Sequence, residues 1–394
     1  MDQRQQAGRH RLVHTQAEDP PSAARSGGRR RCLNRPGPRS RPTRRSPAIW
    51  ETGSSRTRNL PWRKVDGSSG RRDPYRSLVS ELMLQQTQVS RVLDKFDPFI
   101  ERFPSVEDLA KAEEQDVLAS WSGLGYYRRA RLLHAAARQI VDEHGGSVPE
   151  DAATLQRITG IGQYTAGAIA SIVFDQPAPI VDGNVSRVLM RLRADPRSPT
   201  EKEVVRENWH DAEQLVASAD SPARTNEGLM ELGALVCTPK APRCDACPLR
   251  GRCGAASLGA QDRVPAPKAA AKRSVVYHTA VVVRDQNGRL LIERRPDKGL
   301  WASMWQAPTA ESSTAQPRPS VILRRLGLTG RAKQRDEFVH ITSHREVRFR
   351  VYDASPALIA KSWPALDGRA VITPCKLDDY PLANPHRKIL LGGS

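Results

Sequence analysis

Between Leu155 and Arg187 the chain reads LQRITGIGQYTAGAIASIVFDQPAPIVDGNVSR. A short helical run leads into a turn through Gly160-Ile161-Gly162. The Ala-rich run YTAGAIASIVF follows and favours helix. Pro177 and Pro179 break it, and Asp182-Gly183-Asn184 opens another helix. This order leaves few folds open. It joins two helices through a turn with little side chain, and the second helix presents unpaired N–H groups and a positive dipole end. Such a device grips phosphate. Asp182 reads either as the N-cap of the next helix or as a chemical group, and the residues alone leave both open.

At 394 residues the chain is long enough for two or three domains, each with its own core. No run approaches the ~20 apolar residues of a membrane helix, and the start lacks the apolar stretch of a secretory signal. A soluble, cytoplasmic and nucleoid-associated protein with no membrane partner is expected. A net charge of +19 and a pI near 10.2 point to a polyanionic partner, nucleic acid ahead of an anionic membrane surface. Residues 1–57 carry much of that excess and are rich in Arg, Pro, Ser and Gly without apolar period. That composition cannot offset the entropy of ordering, which predicts a disordered basic extension. It reads either as an arm adding DNA affinity or as a dispensable leader. Glu18, Asp19 and the prolines argue against a transit peptide.

Order begins near Asn59-Leu60-Pro61-Trp62-Arg63. The run DPYRSLVSELMLQQTQVSRVL reads as a helix with Asp73 as N-cap and Pro74 at its first position. Tyr75, Leu78, Val79, Leu82 and Met83 form its buried stripe. Glu81, Gln85 and Gln88 fall on the other side, which reads most simply as a solvated edge. Further helices are expected over Val106 to Trp121, Tyr127 to His144, Glu201 to Ala217 and Thr225 to Val236. Between the first two, Tyr126 and Tyr127 sit beside Arg128, Arg129 and Arg131. Exposed, such residues suit base stacking and phosphate contact; otherwise the tyrosines are core.

Cys237, Cys244, Cys247 and Cys253 follow, with prolines at 239, 242 and 248. Four thiols at this spacing can wrap one metal site, and zinc and an iron–sulfur cluster both accept them. In a chain without an export signal, a metal site is favoured over disulfides. Cys32 and Cys375 lie apart and look incidental. Residues 254–274 form an Ala/Pro/Lys linker. Beyond it, VVYHTAVVVRD, GRLLIERRP, EFVHITSH and VRFRVYDA read as strands, with turns at Asn287-Gly288 and near Pro296 and one helical run from Val321 to Leu326. A small α+β domain is expected there.

The pieces LPWR, SELMLQQTQV, WSGLGYYRRAR, ITGIGQYTAGAI, IVDGNVSRVL, NEGLMELGALVC and the four-cysteine loop stand in one order. Together they resemble the adenine DNA glycosylases of the helix-hairpin-helix superfamily, which remove adenine mispaired with 8-oxoguanine. The likeness runs from about residue 58 to about 380, closest through Cys253. It implies a multi-domain fold: an all-α helix-hairpin-helix glycosylase core over 58–236, a cysteine loop over 237–253, and an α+β Nudix-like lesion-recognition domain over 275–394. The likeness also implies a [4Fe-4S] cluster on the four cysteines rather than zinc.

The same resemblance implies that Glu81 is the general acid and Asp182 the second carboxylate, with Asn184 positioning it. Adenine leaves poorly until N7 is protonated, so a carboxylic acid kept neutral near pH 7 is needed. The oxocarbenium ion left on the sugar needs a nearby carboxylate, the two-acid logic of glycoside hydrolases. Tyr164 stands where the related endonuclease-III type carries a Schiff-base lysine, which implies a monofunctional enzyme. Gln86, Thr87, Leu124 and Tyr126 match residues around the lesion and the gap left by the flipped base, and Arg63 and Glu227 match adenine-pocket contacts. Gly160 and Gly162 would hold the DNA strand.

Adenine is a normal base, so its partner must be read too. The family reads 8-oxoguanine with Phe-Ser-His; here the loop is Thr342-Ser343-His344, which keeps Ser343 and His344. The hydrolytic Nudix box is absent. The expected partner is double-stranded DNA with A:8-oxoguanine or A:G mispairs, bound by a monomer. Two other readings stand beside it: a glycosylase of this fold for another base, and a non-catalytic lesion-binding protein.

Overall fold

Helix α1 (Pro74–Leu84) starts where the sequence places it, on Pro74, with the Asp73 carboxylate accepting the Arg76 N–H. It ends at Leu84, short of the run read as one helix. Gln86 turns through φ 55°, and α2 (Val89–Arg102) begins afterwards. The computed structural model describes residues 59–392 apart from 66, 68, 69, 268–272 and 355–367. The basic extension over 1–57 and the end of the linker lie outside the described residues.

The helical half continues with α3 (Val106–Lys111), α4 (Glu114–Ser120), α5 (Arg128–His144), α6 (Ala152–Arg157), α7 (Gln163–Ile172), α8 (Gly183–Arg193), α9 (Lys202–Ala217) and α10 (Pro222–Glu231). The single helix expected over Val106 to Trp121 is therefore two. The last turn of the helix expected to end at Val236 is a π-helical stretch, Leu232–Val236. No helix among the described residues is long and apolar enough to cross a membrane.

Two apolar cores organise this half. The larger gathers the α1 stripe with Phe96, Phe99, Trp121, Leu133, Ile140 and Ile169. The smaller joins Val185, Val188 and Leu189 of α8 to Leu215, Leu229, Leu232 and Leu249. Helices α6 and α7 meet at the two-glycine turn. Gly160 sits at φ 86° with Leu132 Cβ only 2.6 Å from where a Cβ would lie, so only glycine fits that corner. Gly167 lets the Pro177–Ile180 segment cross α7 closely: a Cβ there would lie 2.2 Å from the Pro179 carbonyl oxygen. That crossing delivers the chain to Asp182.

The four-cysteine loop packs on α8. Residues 254–264, read from sequence as the start of a linker, pack there too: α11 (Gly254–Ser257) buries Ala255, and Val264 joins Met190 and Val204. The α+β domain then opens with β1 (Ser274–Val282). Among the described residues, β1, β4 (Thr309–Ser312), β5 (Ala332–Ile341) and β6 (Arg345–Ala354) form a sheet ordered β4-β1-β6-β5. A second sheet orders β3 (Trp305–Gln306), β2 (Leu290–Arg294) and β7 (Arg369–Ile372). Helices α12 (Pro319–Arg325) and α13 (Asn384–Leu391) cover them. The short β3, β4 and β7 and helix α13 had no periodic signal strong enough to predict them.

The two halves touch through α4 and α5. Tyr127 Oη donates to the Leu382 carbonyl at 2.9 Å, Trp305 Nε1 to Gln115 Oε1 at 3.1 Å, and Arg131 Nη2 to the Ala302 carbonyl at 2.5 Å.

Candidate active site

Glu81 leaves the third turn of α1 and lines a small cavity beside the larger core. It is not the solvated edge that the helical wheel suggested. Trp62, Arg72, Ser77, Ser80, Ala168 and Ile169 surround it, around a cavity of only about 20 Å³, room for little more than one water. Burial pushes its carboxyl from 4.5 up to about 7; a hydrogen bond with Tyr164 opposes the rise, the charges of Asp182 and Glu227 add to it, and Arg63 opposes it. A carboxylic acid so placed is about half protonated at neutral pH.

Tyr164, in the first turn of α7, is the immediate neighbour. Its hydroxyl contacts Met230 Sδ at 3.6 Å and shares the hydrogen bond with Glu81. Burial, then the charges of Glu81 and Asp182, raise its pKa well above 10, so the phenol remains a neutral donor.

Asp182 is the N-cap of α8, the first of its two sequence readings. As N-cap of α8, its Oδ1 accepts the N–H of Asn184 at 2.9 Å and of Val185 at 2.7 Å. Its Oδ2 accepts the Asn184 side-chain amide at 2.9 Å. The capping bonds hold the carboxylate still, and it lies close enough to Glu81 to raise that group. Asn184 in turn accepts Arg187 Nη2 at 3.0 Å, and Arg187 also donates to the carbonyls of Gly233 at 2.7 Å and Cys237 at 2.8 Å.

Opposite Glu81, Arg63 pairs with Glu231 at 2.8 Å and Glu227 at 3.3 Å, and Arg72 pairs with Glu227 at 2.8 Å. Glu81, Tyr164, Asp182, Asn184, Arg63 and Glu227 thus surround one site. Arg72 went unread in the sequence, where it looked like a basic residue before a cap.

A second group gathers on the surface where the two halves meet. Gln86, at left-handed φ, and Thr87 form the turn after α1; Leu124 is buried; Tyr126 is 49 % exposed at φ 48°. Thr87 Oγ1 donates to the Leu124 carbonyl at 3.5 Å. The Tyr126 hydroxyl lies 2.9 Å from Ser343 Oγ, in the turn that also exposes His344. Thr342 closes that turn by bonding both the N–H and the carbonyl of Arg345. The adjacent tyrosines therefore divide: Tyr126 is the surface aromatic and Tyr127 is core. Arg129, expected among the phosphate-contacting arginines, is 6 % exposed. Gly160 and Gly162 form the α6–α7 turn, Gly162 standing two residues before Tyr164 as N-cap of α7 and facing open space.

Cys237, Cys244, Cys247 and Cys253 are partly buried free thiols. Burial and the charges of its sister thiols raise Cys244, and burial raises Cys247, so the thiols lie within electrostatic reach of one another. Arg191 donates to Cys237 Sγ at 3.2 Å and to the Thr238 carbonyl at 2.8 Å. A guanidinium beside a sulfur suits thiolate ligands, which carry negative charge. Among the described residues, no three His, Cys, Asp or Glu side chains converge at the distance of one metal ion.

Residues 79–214 match the family described as HhH-GPD superfamily base excision DNA repair protein, and residues 279–392 match the NUDIX domain family. The chain is similar to the adenine DNA glycosylase of Mus musculus, 36% identical over 391 residues, covering 81% of this chain and 74% of that protein. It is 37% identical over 356 residues to the Rattus norvegicus adenine DNA glycosylase, covering 75% of this chain and 67% of the other. To that of Mycobacterium tuberculosis (strain ATCC 25618 / H37Rv) it is 41% identical over 195 residues, covering 49% and 61%.

Proposed function

This chain belongs to the adenine DNA glycosylase family and is a DNA-binding enzyme of base excision repair; we propose that it is monofunctional and removes adenine opposite 8-oxoguanine, and more weakly opposite guanine. The observation that carries this reading is the pairing of a partly buried carboxyl near pKa 7 with a second, rigidly capped carboxylate and a phenol in place of an amine.

Glu81 donates its proton to N7 of the flipped adenine, which lets the bond from N9 to C1′ break with the electron pair leaving on the base. Asp182, held by the α8 N-terminus and Asn184, stabilises the positive charge that develops at C1′. Water adds its oxygen to C1′ and passes its proton to the Glu81 carboxylate, which restores the acid and leaves the sugar intact in the strand. Tyr164 has no amine to form a Schiff base, so the strand stays uncut; it holds Glu81 by its hydrogen bond. Arg63 and Glu227 line the base pocket, where the carboxylate suits the exocyclic amine of adenine.

Gln86, Thr87, Leu124 and Tyr126 face the gap and the opposite base, and Ser343 and His344 read the oxidised edge of 8-oxoguanine from the Nudix-like domain. Gly160 and Gly162 admit a phosphate to the N-terminus of α7. Cys237, Cys244, Cys247 and Cys253 hold a [4Fe-4S] cluster. When bound, the cluster cross-links four points of the loop packed on α8. The protein works as a monomer on nucleoid DNA in the cytoplasm.

The test is single-turnover excision on four duplexes with adenine opposite 8-oxoguanine, guanine, cytosine and thymine, with and without alkaline treatment. Excision is expected on the first two only, with strand breaks appearing only after treatment. Strand breaks without treatment would overturn the monofunctional reading, and equal rates on all four would overturn the lesion preference.

A further inference from the structure

Arg129 is the second residue of α5, yet almost all of its guanidinium is spent on other elements. It donates to the carbonyls of Leu82 at 2.8 Å, Met83 at 2.7 Å and Gln85, all at the C-terminal end of α1. It also donates to Thr87 Oγ1 at 2.9 Å, to the Gly125 carbonyl at 3.1 Å and to the Leu124 carbonyl at 3.4 Å. Its flat face lies 5.4 Å from the Trp121 ring centroid and 5.5 Å from that of Tyr126. No carboxylate pairs with it in these bonds.

The chemistry of the site explains why an arginine stands here. The last carbonyls of a helix have no partner within the helix, and they carry the negative end of its dipole. Where α1 ends abruptly these carbonyls are buried, and leaving them unbonded would be costly. One planar fork with five N–H groups can serve three of them and still reach the neighbouring turn; an ammonium cannot match that spread. Both turns hold a non-glycine residue in left-handed backbone, Gln86 at φ 55° and Tyr126 at φ 48°. Such conformations persist only where the surroundings enforce them, and here the shared surrounding group is the Arg129 guanidinium.

We infer that Arg129 is a positioning residue that locks the end of the Glu81 helix to the Gln86–Thr87 and Leu124–Tyr126 turns, and through them sets the preference for adenine opposite 8-oxoguanine over adenine opposite guanine. The inference rests on the reading above, in which those two turns face the opposite base. Glu81 lies one residue before the first carbonyl that Arg129 binds, and Tyr126 reaches Ser343 of the second domain. A change in the base facing Tyr126 therefore meets the general acid's own helix through one side chain. Arg129 contacts neither the adenine nor the sugar. Its neighbour Arg128, exposed on the same turn, is the one placed to meet phosphate.

The experiment compares wild type, Arg129→Lys, Arg129→Met and Arg128→Met in the full-length protein. It measures single-turnover rates opposite 8-oxoguanine and guanine, the salt dependence of binding to undamaged duplex, and thermal melting. Arg129→Lys is expected to melt cooperatively, to keep the wild-type salt slope, and to lower the ratio of the two rates about tenfold, the scale of a small misplacement at a reacting centre. Arg129→Met lowers the ratio further or fails to fold, in which case the lysine variant decides. Arg128→Met is expected to flatten the salt slope and leave the ratio unchanged. A ratio in Arg129→Lys within about twofold of wild type, whatever the absolute rates, overturns the inference. A wild type that shows no preference between the two duplexes overturns the reading it rests on instead, and the two failures are told apart by that control.

Discussion

The hydroxyls of Tyr126 and Ser343 lie 2.9 Å apart, although 217 residues separate them. Tyr126 projects from the loop between α4 and α5, where its own backbone is left-handed, and Ser343 from the β5–β6 turn. Two side chains singled out for the lesion, one from each domain, are thus bonded to each other in the free protein. On the proposed reading, each exchanges that bond for contacts to a base when DNA enters the gap.

Removing this bond separates recognition from stability. Both residues are exposed, so Ser343→Ala changes the melting temperature by no more than a few degrees. Affinity for a duplex containing 8-oxoguanine falls by roughly tenfold, the worth of a hydrogen bond to a base edge, while excision opposite guanine keeps its rate. Binding isotherms on the two duplexes check this; an equal loss on both would remove Ser343 from lesion reading.

The two carboxylates respond differently to amidation. Glu81→Gln removes the proton donor and lowers the single-turnover rate by about 10² to 10⁴, with binding to an uncleavable duplex retained. Asp182→Asn removes the charge facing C1′ and lowers the rate comparably, yet asparagine caps a helix as well as aspartate does. Its melting temperature therefore stays near wild type, whereas Asp182→Ala loses stability of about 1 kcal/mol as well as activity. Calorimetry beside single-turnover kinetics separates the two effects.

The acid limb of the mechanism sets a pH dependence with a definite sign. If Glu81 acts as the proposed general acid it must be protonated, so the excision rate is expected to fall as pH rises through about 7, approaching tenfold per unit above it. The same group shapes stability. Its folded value lies above the unfolded 4.5, so its favourable contribution is complete below that pH and is lost as pH rises through about 7. Glu81→Gln removes both slopes. Tyr164→Phe deletes a hydrogen bond that holds Glu81 down, which moves the rate limb to higher pH. Rate profiles for the three proteins measure these shifts.

Loss of the cysteine site should act on the active site from behind. Arg191 and Arg187 tie the Cys237 region to α8, whose N-cap is Asp182. Cys244→Ser is expected to lose bound iron and sulfide and to lower the melting temperature by several degrees. Metal analysis and melting curves test this, and undiminished iron content would exclude Cys244 as a ligand.

Much of this protein was legible in its residues. Asp73 and Pro74 start α1, Asp182 caps α8, and the β-branched runs become β1, β2, β5 and β6, because caps and periodicity act within a few residues. The family motifs singled out Glu81, Asp182 and Tyr164, and the fold brings the three together. Short strands such as β3 and β7 escaped because a few residues carry no period, and the end of α1 escaped because the group that closes it, Arg129, comes from another helix.

The tertiary structure decided what the local pattern left open. Glu81 looked like a solvated edge until Trp62, Arg72 and Ile169 closed around it; desolvation, which makes it an acid near neutrality, depends on residues remote in sequence. Tyr126 and Tyr127 are chemically identical neighbours, yet one reaches the surface and the other the Leu382 carbonyl. Sequence determines which groups are present and which local bonds they can make. Burial, charge proximity and the sharing of one guanidinium between two turns are properties of the packed chain, because each depends on distances between residues that only folding brings together.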